Sequence, residues 1–219
     1  MRDGATVRSG PVAVLVVLGI GIVFAQDPFT VASTHYKREF ENSLVRVSRV
    51  SYQAHDKAPM HDHPALPTVY VYTADCGPIR FIYDKIGVLM RPAVKAGWIR
   101  FPRPAKESHR VEYLGANPTE YLRIEVKTAS VDIPEHAVRL RPEAHEANSY
   151  ARTQFENRQF RIVRLWCVAG CPASAHSDDP AVVVAMASRE VRWVAARAAF
   201  PWDGAGDYVR IEVKGGGSR

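Results

Sequence analysis

Two histidines, His61 and His63, stand two residues apart in the segment Pro59-Met60-His61-Asp62-His63. In an extended chain, residues i and i+2 share a face, so both imidazoles can aim at one point while Met60 and Asp62 point away. Neutral imidazole is a common ligand of divalent transition metals. The pair therefore reads as half of a metal site. Taken alone, His-x-His is a weak motif that ordinary core or surface histidines also produce, so its meaning depends on a strand to carry it and on a further ligand. The strand-like run Thr68-Val-Tyr-Val-Tyr-Thr73 follows closely.

Stepping outward, the segments that must position these groups are short and rich in β-branched and aromatic residues. They include Leu44–Val50, Ile79–Tyr83, Trp98–Phe101 and Tyr121–Lys127. In the last of these, Leu122, Ile124 and Val126 alternate with Tyr121, Arg123, Glu125 and Lys127. Turn formers separate the segments: Cys76-Gly-Pro78, Asp84, Gly87, Pro102, Pro104 and Gly115-Ala-Asn-Pro118. Short alternating strands at this spacing predict an all-β sandwich or barrel. Residues 27–40 read as a lead-in of little periodicity, and no stretch after residue 26 has a convincing helical period.

The chain repeats itself. Glu41-Asn-Ser-Leu-Val-Arg-Val-Ser-Arg49 matches Glu156-Asn-Arg-Gln-Phe-Arg-Ile-Val-Arg164 at an offset of 115 residues. The same offset carries His61 onto His176, His63 onto Asp178, and Thr68–Tyr72 onto Val183–Ala187. Each copy closes alike, with Glu120-Tyr-Leu-Arg-Ile-Glu-Val-Lys127 against Asp207-Tyr-Val-Arg-Ile-Glu-Val-Lys214, identical at six of eight positions. The second copy is 28 residues shorter, and the missing piece corresponds to the middle of the first. These limits predict a first unit at 26–127, a connecting segment at 128–155, a shortened second unit at 156–214, and a flexible tail at 215–219.

The chain has 219 residues, 47% hydrophobic and 24% charged, which is enough to bury a substantial core. Its formal net charge of +6 comes mostly from dispersed arginines. No basic run or basic-aromatic patch suggests nucleic-acid binding. Arg2 and Arg8 precede the uncharged run Gly10–Ala25, and Val23-Phe24-Ala25 has the small-residue spacing of a cleavage site. Residues 1–25 thus read as a secretory signal peptide, or as a retained N-terminal anchor crossing the membrane through residues 10–25. Both readings predict an exported, periplasmic protein. Export permits disulfides. Cys167 and Cys171 are close enough in sequence to pair, although such short loops often lack the geometry. The favoured reading for these two and Cys76 is as small buried apolar residues.

Two tandem β-units, with a ligand-type position after the early strands, resemble the bicupins of the cupin superfamily. His61-Asp62-His63 looks like the first cupin motif, and Gly97…Pro104-Ala-Lys-Glu-Ser-His109 looks like the second. The resemblance covers about 41–214. It implies a double-stranded β-helix, the cupin or jelly-roll barrel, in two tandem units. It also implies His109 as a third ligand, so that His61, His63 and His109 would hold one divalent transition metal: Zn, Fe, Mn, Cu or Ni. The chain departs from the pattern in several places. The glutamate position falls at Pro67 or Thr68, Lys106 replaces a glycine, and Tyr113 replaces an asparagine. The fourth protein ligand of the family is then absent. In the second unit, His176-Ser-Asp178 has no later histidine to complete a site.

A three-histidine ion with open positions is a catalytic arrangement rather than a closed structural one. The resemblance implies a metal-dependent oxygenase or isomerase acting on a small oxygen-bearing molecule. The alternative is a non-catalytic, membrane-tethered or periplasmic accessory or binding subunit on a degenerate cupin scaffold, and under either reading a homodimer or larger complex is possible. Secondary expectations follow. Glu107 points away from His109. Tyr70 and Tyr72 pack in the core, and His55 lies solvated near the site. His35, His136 and His145 are surface residues. Arg46, Arg49, Arg161 and Arg164 serve exposed faces or salt bridges between units, and Trp166, Trp193 and Trp202 belong to the core.

Overall fold

A computed structural model describes residues 26–84, 86–102, 104–128, 137–202 and 204–215. The expected leader at 1–25, His136 and the expected tail segment beyond Gly215 lie outside these residues. One short helix, α1 (Pro28–Val31), is capped by the Asp27 carboxylate, which accepts from the Phe29 amide at 3.0 Å. The strands of the first unit are β1 (Tyr36–Glu41), β2 (Val45–Tyr52), β3 (Lys57–His63), β4 (Thr68–Tyr72), β5 (Ile79–Tyr83), β6 (Gly87–Arg91), β7 (Ile99–Phe101), β8 (Glu107–Tyr113) and β9 (Thr119–Val126). Then come β10 (Val138–Leu140), β11 (Tyr150–Glu156), β12 (Phe160–Cys167), β13 (Ala181–Ala185), β14 (Val191–Val194) and β15 (Gly206–Val213).

These strands form three antiparallel sheets, ordered β1-β2-β9-β4-β7-β10, β3-β8-β5-β6 and β11-β12-β15-β13-β14. The eight strands β2–β9 divide between the first two sheets in jelly-roll order, giving a double-stranded β-helix. The expected fold class is therefore present. The segment expected to run as a lead-in, 27–40, instead supplies α1 and most of β1. Two further strands fall within 128–155: β10 extends the six-stranded sheet beside β7, and β11 opens the five-stranded sheet.

Strand alternation assigns each sheet two jobs. On the six-stranded sheet, Val45, Val47, Val69, Val71, Ile99, Phe101, Leu122, Ile124 and Val126 face outward from the barrel. They pack against Phe160, Ile162, Val182, Val184, Val209, Ile211 and Val213 of the five-stranded sheet. The opposite face of the six-stranded sheet lines the barrel, with Tyr52, Tyr70, Tyr72 and Tyr121 buried against Ile79, Phe81, Val111 and Tyr113. The molecule is thus three layers deep, and the second unit covers the outer face of the first.

The repeat is legible in the backbone. The order β11-β12-β15-β13-β14 reproduces β1-β2-β9-β4-β7 strand for strand. The register shift between Arg38 and Phe40 recurs between Thr153 and Phe155. Asn42 and Asn157 turn the chain alike, each side-chain oxygen accepting from two following amides at 2.8–2.9 Å. Among the described residues, nothing in the second unit corresponds to β3, β5, β6 or β8.

Several sequence expectations are corrected. Cys167 and Cys171 form a disulfide, their Cα atoms 4.6 Å apart, which is within the bonding range because the chain bends between them. Cys76 is the buried free thiol. Arg164 is not on an exposed face: it is 1% exposed, pairs with Asp207 at 3.1 Å and donates to the Gly97 carbonyl at 3.2 Å. Gly97 has φ +83, a left-handed backbone that favours glycine, and a Cβ there would crowd the Arg164 guanidinium at 2.7 Å. Arg49 pairs with Glu39 and donates to the Arg189 carbonyl at 2.8 Å, so this link between units is a hydrogen bond to backbone rather than a salt bridge. Trp166, Trp193 and Trp202 are half-buried.

Candidate metal centre

β3 and β8 lie side by side, and their register sets His61 directly opposite His109. A shift between Ala58 and His61 inserts one extra residue into β3. Ala58 and His61 are three apart and would otherwise face opposite sides. The bulge lets both point inward. Pro59 sits in this bulge, where its missing N–H costs no ladder bond. Its carbonyl accepts from His61 Nδ1 at 2.7 Å. A carbonyl can only accept, so the proton of neutral His61 is on Nδ1 and Nε2 presents its lone pair to the barrel.

His61, His63 and His109 are 0%, 3% and 2% exposed. Their ring centroids are 4.9, 4.8 and 5.3 Å apart pairwise. One ligand nitrogen from each lies within 4.8 Å of the others. Phe81 and Tyr83 meet the His109 ring edge-on, each at 5.1 Å, and fix its plane. Burial depresses the pKa of all three, to about 2 at His109 and well below the ordinary value at His63, with the nearby Arg123 charge pushing the same way. The cluster is therefore neutral at physiological pH, the state in which imidazole binds metal. The donor set fits a divalent transition ion: three neutral imidazoles, buried, with one tautomer fixed by a carbonyl.

Two neighbouring groups were not expected at the site. Tyr36, from the start of β1, donates its hydroxyl to His61 Nε2 at 3.0 Å and lies 3.5 Å from His63 Nε2. Burial raises its pKa, so the phenol stays protonated. Its signal in the sequence was faint. The matched pair Phe40-Glu41 and Phe155-Glu156 extends the repeat into β1, but Tyr36 itself faces Ala151 in the second copy. Glu107 was expected to point away from His109. It lies two residues before His109 on β8 and so shares its face. Its Oε2 stands 3.7 Å from His109 Nδ1, and neither atom has a hydrogen-bond partner.

Beside the cluster, a cavity of about 380 Å³ reaches His63 and Tyr36. Arg123, Glu125, Lys106 and Phe29 contribute to its wall. Arg123 is held by Glu125 at 3.2 Å and by the Tyr70 hydroxyl. Tyr70 and Tyr72 are buried inside the barrel, as expected. Tyr113, at the asparagine position, has a structural role: its hydroxyl donates to the Asn117 carbonyl at 2.7 Å and accepts from the Gly77 amide at 3.1 Å.

The other histidines stay apart from this cluster. His55 is exposed in a turn at φ 62. His35 was expected at the surface, but its side chain is only 10% exposed and its two nitrogens bridge the Ser51 and Lys57 carbonyls at 3.2 Å. His145 is exposed and stacks on Trp166 at 3.8 Å. His176 is exposed near the Ala198 carbonyl, and Asp178 pairs with Arg197 at 3.2 Å.

No protein-family model matches the chain, and no curated protein matches it. Solved structures do. A cupin domain from Bordetella pertussis is 19% identical, covers 42% of this chain and 92% of its own, and has a TM-score of 0.37. A cupin 2 conserved barrel domain protein from Leptotrichia buccalis is 11% identical over 82% of this chain and 88% of its own, at 0.45. Salicylate 1,2-dioxygenase from Pseudaminobacter salicylatoxidans is 8% identical over 78% and 71%, at 0.41. The strand order of the first unit is that of a cupin-type barrel, with a histidine cluster inside it.

Proposed function

We propose that the first unit holds one divalent transition metal on His61, His63 and His109, and that it binds or transforms a small oxygen-bearing molecule reaching the site through the 380 Å³ cavity. The observation that carries this is the convergence of three buried, neutral imidazoles within 4.8 Å. A cavity of that size suits a small ligand. A bound ion would supply Lewis acidity and acidify a coordinated water. The chain's own groups do the rest. The Tyr36 hydroxyl donates a hydrogen bond at the open side of the cluster. Glu107 places a carboxylate beside His109. Arg46, Lys106 and Arg123 alternate with Asp27, Asp62 and Glu125 on the cavity wall, which offers hydrogen-bond donors and acceptors to a polar ligand.

Export to the periplasm remains part of the reading. It is supported by the apolar run Gly10–Ala25 behind Arg2 and Arg8, and the disulfide between Cys167 and Cys171 suits an oxidising compartment. No helix among the described residues is long and apolar enough to cross a membrane. The non-catalytic accessory reading draws on the lost family glutamate and on the second unit's isolated His176. The test is metal analysis of the purified full chain beside His61→Ala, His63→Ala and His109→Ala. Near-stoichiometric metal in the parent and loss in each variant is expected. An equal, trace content in all four proteins would overturn the metal and favour the accessory reading.

A further inference from the structure

A smaller cavity, about 90 Å³, lies between the end of β6 and the β7–β10 edge. Arg91, Arg100 and Arg139 converge on it, with Tyr72 and Trp98. Arg139 stands directly opposite Arg100 in the β7–β10 register. Like charges across a strand pair are destabilising. Arg91 is only 6% exposed, its guanidinium 3.9 Å from the Phe81 centroid and 5.3 Å from that of Tyr70. The Nε atoms of Arg91 and Arg100 are buried without a hydrogen-bond partner. Among the described residues, none of the three arginines forms an ion pair. Glu107 is within electrostatic range of Arg91 but faces His109.

The buried arginines elsewhere show what Arg91 lacks. Arg123 has Glu125 at 3.2 Å, Arg164 has Asp207 at 3.1 Å, and Arg210 has Glu212 at 2.7 Å. A buried charge ordinarily needs such a partner. Here the buried Arg91, the partly buried Arg100 and the exposed Arg139 line a hole, and no carboxylate among the described residues pairs with any of them. Arginine's fork matches a planar or tetrahedral oxyanion, and the hole has room for one group of that size. The ring of Phe81 lies between Arg91 and His109, which separates this place from the histidine cluster. We propose that Arg91, Arg100 and Arg139 form a second binding site, for a small oxyanion of the phosphate or carboxylate type.

Trp98 lines the site and reports on it. The full chain is titrated with inorganic phosphate, and separately with malonate, at constant ionic strength, while tryptophan emission is followed. A saturable change is expected with at least one probe, absent in Trp98→Phe. Which probe responds assigns the source. Arg139→Gln, an exposed position that leaves the fold intact, weakens that binding about tenfold or more, as does Arg100→Gln. Arg139→Gln also raises the melting temperature of the ligand-free protein by removing the opposed charge. The proposal is overturned if neither probe gives a saturable change in the millimolar range, or if Arg139→Gln binds as the parent does.

Discussion

Tyr36→Phe separates two roles for the hydroxyl at the histidine cluster. In the metal-free protein, that hydroxyl donates to His61 Nε2 at 3.0 Å. The other ring nitrogen is committed to the Pro59 carbonyl at 2.7 Å. The Nε2 lone pair is thus the one a metal must take, and metal binding must displace the phenol from it. The net worth of such a neutral hydrogen bond is about 1 kcal/mol. Removing it destabilises the metal-free state by that amount and leaves the metal-bound state nearly unchanged. The substitution should then tighten metal binding by about fivefold, since about 1.4 kcal/mol is a factor of ten. It should lower the metal-free melting temperature by about 2–4 °C for a chain of this size. Competition against a chromophoric chelator measures the first effect, and thermal unfolding in chelator measures the second. If Tyr36→Phe binds metal several-fold more weakly, the phenol supports the ion and the competition argument is wrong.

Two further outcomes follow from burial. Each cluster histidine is buried and has a depressed pKa, reaching about 2 at His109. Below about pH 6.5, the unfolded chain takes up protons that the native state refuses. Native stability in chelator is therefore complete above that pH and falls as the pH drops, by up to about 1.4 kcal/mol per unit for each histidine that stays neutral in the native state. Urea unfolding between pH 7 and 5 should show this slope, and His109→Gln should remove about one third of the cluster's share. An unchanged slope in the variant would mean that His109 is already protonated when folded. In the second case, Phe160 is fully buried between the layers, 4.8 Å from the Phe101 ring and 5.6 Å from Phe155. Phe160→Ala should cost about 3–5 kcal/mol in urea unfolding, while the folded variant keeps its metal because the cluster lies on the far side of the six-stranded sheet. A loss below about 1 kcal/mol would show that the second unit is not firmly packed on the first.

The β-class and the His61–His63 pair were legible because they rest on local periodicity, whereas His109 joined them through the resemblance to the second cupin motif. Alternation in Tyr121–Lys127 gives a strand with two distinct faces, and the structure uses both, Leu122 outward and Arg123 inward. His61 and His63 share a face because period two requires it. What escaped depends on non-local geometry or on a misapplied period. Tyr36 comes from a separate strand on the other sheet, and nothing in Tyr36-Lys-Arg-Glu announces that it meets His61. Glu107 was within reach of the same rule that paired His61 with His63. The buried Arg164 reads on its own like Arg161, and only the packing of Gly97 and Asp207 against it sets its environment. The disulfide depended on a bend that cysteine spacing alone does not specify.

The second unit explains why one site suffices. Its strands correspond to β1, β2, β9, β4 and β7, the members of the six-stranded sheet, and none corresponds to β3, β8, β5 or β6. His61, His63 and His109 all stand on β3 and β8, strands that have no counterpart among the described residues of the second unit. A copy without them keeps the apolar face that can cover its twin and has no wall on which to build a cluster. His176 therefore falls after a turn of 3₁₀ helix rather than on a strand, and faces solvent. The six-stranded sheet would otherwise present a continuous surface of Val, Ile, Leu and Phe to water, a recognised route to association. The part the two units share is the part that buries this surface, and the part found in the first unit alone is the part that brings the three histidines together.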